Sequence, residues 1–411
     1  MRMLALGRWE LLRGASLLAS ATACLLPPSA QAQSRATLDV SAGATAASNP
    51  YLFNGGDTAA VGASIDFAPS LSAKTDDTSI NFEGNLSLEK YLGRYGTDES
   101  ISLKGGAERQ INERTTVSAN IDFRSSKSAS RRFFNGPDIA NLGPGQFPDS
   151  SQIDPTLANL AGRTSRLEVD ASLHHALSLE SSLTVSAGLG LTRVTSAEGA
   201  DYRDSNASVA YNRRLSETTS AVVTVAGGYA DYLGQRAGDG PFVTPLVGLE
   251  HQFTSSLDFE AQVGASIAAI QSVAGGRQTT VVWAGKFDLC EREPKTTTCL
   301  TGSRSTTPTS LGGLTTVSSV GLSYSHSFGT TSSGSLSATY ARSDRPSSLV
   351  LNGTSSRSEL ADASATYRRK IGQRISGFVT PSFTSIKDEL SGRRNNYQVL
   401  LGVTYNFGMA Q

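Results

Sequence analysis

Apolar and polar residues alternate one by one along many short stretches of this chain. The clearest stretch, residues 80–89, sets Ile80, Phe82 and Leu88 at alternate positions between Asn, Glu and Ser. Because successive side chains of a β-strand point to opposite faces, such alternation predicts strands with one apolar and one polar face. Apolar faces of this kind suit lipid, and polar faces suit a hydrated interior.

We place about sixteen strands on such stretches, an even number as in bacterial single-chain barrels. Little helix-type periodicity is found after residue 32. The predicted strands lie at about 36–47, 59–71, 78–91, 98–110, 114–125, 163–177, 181–195, 203–215, 218–233, 241–253, 256–271, 314–328, 333–344, 358–371, 373–387 and 395–407.

A recurring phrase closes many of these stretches: an aromatic residue or Leu, three mostly polar residues, and a large apolar residue. It occurs at 173–177, 211–215, 249–253, 324–328 and 367–371, and in a shortened form at 405–407. Short turns alternate with longer loops, as threading through an outer membrane requires, with the short turns periplasmic. The fold class predicted is therefore an all-β transmembrane antiparallel up-and-down β-barrel, with the phrase at its periplasmic rim.

The aromatic members of this phrase are expected to form a periplasmic girdle, since amphipathic rings prefer the membrane interface. They are Tyr211, Phe253, Tyr324, Phe328, Tyr367, Tyr405 and Phe407. All the histidines lie in the phrase as well: His174, His175, His251 and His326. A catalytic His needs a nucleophile or an acid within hydrogen-bond reach in a pocket. We therefore expect no catalytic residue, no enzyme activity, no cofactor and no metal site.

Residues 1–32 have the features of a secretory signal peptide. Arginines precede an apolar run at 17–26, and Ala30-Gln31-Ala32 has the small residues of a cleavage site. The barrel is then expected to occupy residues 33–411. A rival interpretation, lipid attachment at Cys24, lacks the large aliphatic residue that the motif carries three positions earlier.

Charge and hydropathy narrow the classes of protein further. The 36 basic and 36 acidic residues give a formal net charge of zero, which disfavours a nucleic-acid binder. After the signal no apolar run approaches the roughly 20 residues of a membrane helix. The 40 Gly residues and abundant Ser and Thr suit a barrel, which spreads its apolar residues over an outer belt. The expected location is the outer membrane of a Gram-negative bacterium, in contact with the lipid bilayer.

Two connections between predicted strands are much longer than the others. They lie at about 126–162 and 272–313, both on the side of the long outer loops. Loops of this length are usually functional or disordered. By our count the first is the third outer loop. This sequence is similar to the general porins in strand number and in the place of its long loop. In those porins the third outer loop folds inward and narrows the channel.

An inward fold of the first loop would set charges of both signs at a pore constriction, whereas an outward fold would leave them on a solvated surface. The residues concerned are Arg131, Arg132, Asp138, Asp149 and Asp154. The second loop holds Cys290 and Cys299 in a segment where we find no strand pattern. Disulfides persist in the envelope, which favours a disulfide that crosslinks an external cap. A metal site would need further ligands nearby.

The polar faces of predicted strands five and six carry charges of both signs. They are Asp122, Arg124, Arg166, Glu168 and Asp170. Opposite charges on adjacent strands predict cross-strand ion pairs that line a hydrated lumen. Aromatic residues are scarce on the polar faces, so a path of stacked sugars is not predicted.

The last strand alternates up to Phe407 and resembles the C-terminal signal that the barrel-assembly machinery recognises. Residues 408–411 follow that aromatic residue, whereas the usual signal ends on it. The first strand ends at Ser48-Asn49-Pro50-Tyr51, and rim phrases recur at 211–215 and 367–371. In these features the chain resembles the outer-membrane beta-barrel porins of the second type.

This resemblance implies an envelope barrel. Because several members of that group accompany exopolysaccharide synthesis and export genes, it also suggests polysaccharide or polysaccharide-export proteins as partners. Two functional hypotheses follow. The first is a channel that passes small hydrophilic solutes or assists exopolysaccharide export, since barrels of 16–18 strands leave a water-filled pore. The second is a plugged structural or assembly barrel whose outer loops bind a partner.

Overall fold

The computed structural model describes residues 33–55, 58–93, 95–127, 162–195, 199–234, 238–272, 276–310, 312–345, 356–388 and 392–408. The predicted signal peptide at 1–32 lies outside the described residues. The described chain forms one 18-stranded antiparallel sheet. Each strand pairs with its neighbours in sequence, and β1 pairs with β18, so the sheet closes into a barrel.

Within the described ranges, no helix lies between the strands. They are β1 Gln33–Ala47, β2 Ala60–Lys74, β3 Thr78–Tyr91, β4 Thr97–Asn112, β5 Thr115–Ser126, β6 Thr164–Ala176, β7 Ser181–Val194, β8 Tyr202–Arg214, β9 Thr219–Tyr232, β10 Gly240–Gln252, β11 Leu257–Gln271, β12 Arg277–Arg292, β13 Thr296–Pro308, β14 Leu314–Ser327, β15 Ser332–Arg345, β16 Ser356–Lys370, β17 Ile375–Asp388 and β18 Gly392–Asn406.

Connections at the two ends of the barrel differ, as the sequence predicted. At one end, the turn end, the connections are the short ones at 75–77, 113–114, 177–180, 215–218, 253–256, 293–295, 328–331 and 371–374. The other end, the loop end, has mostly longer connections, including 48–59, 195–201 and 233–239. Every predicted short turn lies at the turn end.

The outer face of the barrel is a belt of large apolar side chains. Val209, Val263 and Leu401 are 46%, 60% and 55% exposed, and many similar residues on other strands are exposed to a comparable degree. An apolar surface of this extent is unfavourable in water, at about 25 cal/mol per Å², but it is stable against lipid. A closed, even-stranded barrel with such a belt is a bacterial outer-membrane barrel. Among the described residues no helix is long and apolar enough to cross a membrane.

The predicted closed antiparallel barrel is confirmed, but the strand number is 18 rather than about sixteen. The two missed strands, β12 and β13, occupy the segment 272–313, which we had interpreted as a long outer loop. Period-two alternation is weak in β13, whose sequence TTTCLTGSRSTTP has one large aliphatic residue, Leu300. β13 pairs with β12 only as far as Arg304, and the residues beyond it lie inside the barrel and do not face lipid.

The predicted girdle residues lie at the turn end of the barrel, on the same strand faces as the apolar belt. Several of their rings contact one another or a histidine, for example Phe328 with Tyr367 at 6.3 Å between centroids and Tyr405 with Phe407 at 4.5 Å. Their assignment to a periplasmic membrane interface stays a prediction.

Substitution of Val209 by Arg tests the orientation of the belt. We expect Val209→Arg to lower the free energy of unfolding by ~2–4 kcal/mol, the cost of a cation near the bilayer midplane. The matched control is Ser208→Arg, because Ser208 points inward and hydrogen-bonds to Ser186 at 2.7 Å. Denaturant titration in lipid vesicles measures both. Equal losses in the two variants would contradict the assignment of the faces.

Candidate channel

The polar faces of β5 and β6 bring the five predicted lumen-wall residues onto one surface. Asp122 lies opposite Glu168, and Arg124 lies opposite Arg166. We had predicted ion pairs across the strands, but the closest pairs run along each strand. Arg124 donates to the Asp122 carboxylate at 2.9 and 2.7 Å, and Arg166 pairs with Glu168. Residues two positions apart in a strand share a face, which permits this pairing.

The guanidinium of Arg166 also connects three strands. Its Nη1 donates to Tyr202 Oη at 2.8 Å and to Thr192 Oγ1 at 3.0 Å, and its Nη2 lies 3.8 Å from Asp204 Oδ1. Arg166 therefore compensates the buried Asp204 as well as Glu168. The planar guanidinium of Arg has five N–H donors, so it can donate to several acceptors at once.

A second polar group lines the wall on β8, β10, β11 and β12. Glu260 Oε1 lies 2.5 Å from Lys286 Nζ and accepts a hydrogen bond from Gln262 Nε2 at 2.6 Å. Asn212 Nδ2 donates to Glu250 Oε2 at 2.8 Å, and Glu250 lies opposite Glu260 in the β10–β11 register. Charges of both signs thus extend around the wall, which makes the interior hydrophilic.

At the turn end the interior opens into a cavity of ≈ 880 Å³. Most of its lining is polar, with Asp39, Glu83, Lys104, Lys295 and Arg368 supplying both signs of charge. A cavity of this size admits water and small solutes. This end of the barrel is therefore a hydrated vestibule.

Toward the loop end an apolar cluster lies on the inner face of β8–β11. The buried members are Ala200, Tyr202, Ala230, Tyr232, Ala268, Ile270 and Leu314, with Phe242 packed against them. The Tyr202 and Tyr232 rings lie 5.3 Å apart between centroids. Leu314 belongs to β14 and the others belong to β8–β11 or to the loop before β8, so the cluster joins β14 to the inner face of these strands.

The tip of the β13–β14 hairpin contacts this cluster from several strands away in the wall. Tyr232 Oη donates to Gly313 O at 2.8 Å and accepts a hydrogen bond from Thr309 N at 3.0 Å. Ala200 N donates to Ser310 O at 2.8 Å. Three strands, β10–β12, separate β9 from β13 in the wall. The tip must therefore lie inside the barrel to make these contacts.

Leu314 shows how far the hairpin departs from the wall. In β14 it shares a face with Leu322 and Tyr324, which are exposed on the outer surface. In a regular barrel Leu314 would face lipid as they do, yet it is 0% exposed and packs in the interior cluster. The outer face of the hairpin tip has thus become an inner contact surface.

The hairpin can bend inward because the ladder between β12 and β13 is incomplete. β12 pairs with β11 from Leu257↔Glu291 to Gln271↔Arg277, but with β13 only from Arg292↔Thr297 to Gly285↔Arg304. β13 stays paired with β14 as far as Pro308↔Leu314. β13 therefore separates from β12 beyond residue 304, whereas β14 stays paired with β15 as far as Thr316↔Asp344.

A cation–π contact marks the point of separation. The Arg304 guanidinium lies 4.8 Å from the centroid of the Trp283 ring, a favourable arrangement for a cation near an aromatic face. Arg304 Nη1 also donates to Ser318 Oγ at 2.6 Å. These contacts hold β12, β13 and β14 together where the ladder ends.

The cysteine pair lies within the part of the ladder that remains. Cys290 and Cys299 are opposite each other, buried and disulfide-bonded with an S–S distance of 2.06 Å. We had placed them in a loop without strands, but the disulfide joins two adjacent strands of the wall. A covalent crosslink there prevents the separation of β12 and β13 from extending to the turn at 293–295.

The predicted constriction residues Arg131, Arg132, Asp138, Asp149 and Asp154 lie outside the described residues. The inward-turned tip of the β13–β14 hairpin was not predicted from the sequence. A signal for it was present, since Pro308 is followed by Gly312-Gly313, and both glycines adopt positive φ values of 89° and 88°. Such a tight tip needs residues without a Cβ.

The histidines make hydrogen bonds to threonines of neighbouring strands near the turn end. Nδ1 atoms of His175, His251 and His326 lie 2.8–2.9 Å from threonine hydroxyls, and His174 lies 3.0 Å from that of Thr184. His174 differs from the rest, because it shares the polar face of β6 with Asp170. Within the described ranges, no group of three or more His, Cys, Asp or Glu residues is arranged to hold a metal ion.

No family model and no curated protein matches this sequence. Similar solved structures include OpdL of Pseudomonas aeruginosa, with 12% identity over 92% of this chain and 99% of that chain and a TM-score of 0.43. OccK2 of Pseudomonas aeruginosa in complex with glucuronate has 12% identity, the same coverage and a TM-score of 0.45.

The FrpB iron transporter of Neisseria meningitidis has 8% identity over 90% of this chain and 82% of that chain, with a TM-score of 0.43. Likenesses with TM-scores below 0.5 assign neither the fold nor the function of this chain. Membership of the second type of porin, and the link to exopolysaccharide, stay predictions.

Loss of the Arg166 guanidinium should destabilise the wall. We expect Arg166→Gln to lower the free energy of unfolding by ~1–3 kcal/mol, since it leaves Asp204 and Glu168 without their cation. The control is Arg109→Gln, whose Arg109–Asp77 pair at 3.8 Å is about half exposed and should contribute less than ~1 kcal/mol. Urea unfolding in vesicles compares them. A loss at Arg166 no larger than that at Arg109 would refute this role.

Proposed function

We propose that the protein is an outer-membrane channel for small hydrophilic solutes, closed at its loop end by the tip of the β13–β14 hairpin. One observation carries the proposal. The inner wall is polar from the turn end onward, and at the loop end an apolar cluster holds the tip of the β13–β14 hairpin at the place where β13 has separated from β12. A barrier built in this way can be removed without unfolding the barrel.

The open state follows from the existing register. Continuing the β12–β13 ladder beyond Gly285↔Arg304 would place Val282 opposite Thr307 and Trp283 opposite Thr306. In that arrangement the hairpin tip lies in the wall, and Leu314 faces lipid like the other apolar residues on its side of β14. The transition exchanges the Tyr232 contacts for ladder hydrogen bonds, so neither state leaves the hairpin unpartnered.

The alternative is a permanently plugged structural or assembly barrel whose outer loops bind a partner. It uses the same apolar cluster, but the hairpin never moves. Assistance of exopolysaccharide export is a narrower form of the channel hypothesis, and nothing among the described residues favours a polymer over small solutes. We also propose that the barrel-assembly machinery recognises β18.

Removal of one hydroxyl distinguishes the channel from the plugged barrel. In Tyr232→Phe the tip loses its hydrogen bonds to Tyr232, a cost of ~1–2 kcal/mol that should raise the ratio of open to closed states about 5- to 30-fold. Single-channel recording of the refolded mature chain in a planar bilayer measures this ratio. Tyr229→Phe, on the outer face of the same strand, is the control and should behave as the wild type. Absence of conductance in all three proteins would favour the plugged barrel.

A crosslink tests the open state itself. We expect Val282→Cys with Thr307→Cys, in a Cys290→Ser, Cys299→Ser background, to form a disulfide that locks the channel open until it is reduced. Leu289→Cys with Leu300→Cys, opposite each other in the existing ladder, is the control and should crosslink without changing the conductance. If the 282–307 crosslink formed and left the conductance unchanged, the wall-restoring movement would be wrong.

A further inference from the structure

Four aromatic rings meet at the loop end of β1–β4, although the polar strand faces carry few such residues. The loops 48–59 and 92–96 supply three of them, and β3 supplies the fourth. Tyr51 and Phe53 stack at 5.7 Å between centroids with an interplanar angle of 15°. Tyr95 lies 5.0 Å from Tyr51 and 6.1 Å from Tyr91. We call these four residues the aromatic mouth cluster.

The aromatic mouth cluster lies on the inner side of the barrel end. Tyr91 shares the face of β3 that carries Glu89, which is opposite to the belt residues Leu86 and Leu88. The loop that carries Tyr51 and Phe53 is bound to inward-facing residues of β18. Lipid is therefore not the expected neighbour of these rings.

Two tethers attach this loop to β18. Asn49 N donates to Asn396 Oδ1 at 2.9 Å, and Arg394 Nη1 donates to Leu52 O at 3.1 Å. Asn396 is almost fully buried, and Leu52 is 1% exposed. The loop therefore has an anchor in the barrel wall on either side of Tyr51.

The position of Phe53 is fixed by a reciprocal pair of hydrogen bonds. Asn49 Nδ2 donates to Phe53 O at 2.9 Å, and Phe53 N donates to Asn49 Oδ1 at 2.9 Å. The Phe53 side chain is nevertheless 44% exposed. An apolar ring that is held in place yet left open to the aqueous mouth is preorganised for a ligand.

Backbone strain in the same loops supports this interpretation. Leu52 and Tyr95 are the non-glycine residues with positive φ among the described ranges, at 54° and 58°. Conformations of this kind cost energy and cluster at binding sites. Tyr95 is also held by a hydrogen bond from its hydroxyl to Thr58 O at 2.9 Å. Both strained residues thus lie within or beside the aromatic mouth cluster.

We infer that the aromatic mouth cluster is a carbohydrate-binding site, with Phe53 and Tyr51 as the surface on which a pyranose ring stacks. A pyranose has a face of C–H groups that packs on aromatic rings, and a rim of hydroxyls that hydrogen-bond to polar groups such as the exposed amide of the adjacent Asn54. Such a solute is also hydrophilic enough for the polar lumen. The inference rests on the proposed function in so far as the bound sugar is the solute that the channel passes.

Titration calorimetry on the folded mature chain in detergent tests the site without requiring conduction. Maltose, cellobiose and lactose serve as probes, with glycerol as a polyol that has no ring. We expect at least one disaccharide to bind in the millimolar range, and Phe53→Ala to weaken that binding about tenfold or more. Glycerol should not bind detectably.

The matched control is Tyr397→Ala, which removes an aromatic ring that is 62% exposed on the outer face at the same end of the barrel. Its affinity for the disaccharide should equal that of the wild type. Heat-modifiable migration on gels verifies that both variants are folded. The inference is overturned if no probe binds at up to about 100 mM, or if Phe53→Ala binds as tightly as the wild type.

Conductance measured on the same samples separates this inference from the proposed function. Sugar binding that depends on Phe53, in a protein that never conducts, would support the site and refute the channel. Conductance without any sugar binding would support the channel and refute the site.

Discussion

Backbone hydrogen bonding inside a membrane is the constraint on which this structure depends. A bilayer offers no water to an unpaired N–H or C=O group, so a spanning sheet must pair each strand on both sides and close on itself. The β1–β18 ladder achieves closure here. The pairing between neighbouring strands is incomplete where β13 separates from β12 beyond Gly285↔Arg304. The apolar cluster and the contacts of the hairpin tip lie at the loop end, beside this break in the ladder.

The separated hairpin and the apolar cluster stabilise each other. The tip would leave its polar backbone atoms unsatisfied if it simply left the wall, and Tyr232 and Ala200 supply partners for several of them. Leu314 in turn exchanges a lipid-facing position for a buried one. The Cys290–Cys299 disulfide keeps the rest of the β12–β13 ladder intact. Contacts in the interior therefore hold the hairpin tip in place of the β12–β13 ladder.

The two ends of the interior differ in chemistry. The turn end is a hydrated vestibule with charges of both signs, and the wall charges are compensated in groups centred on Arg166 and on Glu260. The loop end combines the apolar cluster on one side with the aromatic mouth cluster on another. The sugar site inferred for the mouth and the channel proposed for the lumen are compatible, because a sugar has an apolar face for stacking and hydroxyls for a polar interior.

The sequence by itself determined the fold class, because alternation with period two is a local consequence of having lipid on one face of a strand and water on the other. It also determined which ends carry turns and which residues form the belt, since both depend only on neighbours along the chain. It failed at β13, where Thr and Ser replace the apolar residues because the loop-end half of the strand lies inside the barrel. Leu314 and Ile270 share one apolar cluster, and the rings of Phe53 and Tyr95 lie 5.9 Å apart, although these residues belong to segments far apart in sequence or to separate loops. Only the closed barrel brings such residues together, so the tertiary structure alone decided where the hairpin tip packs and where the aromatic rings of the mouth meet.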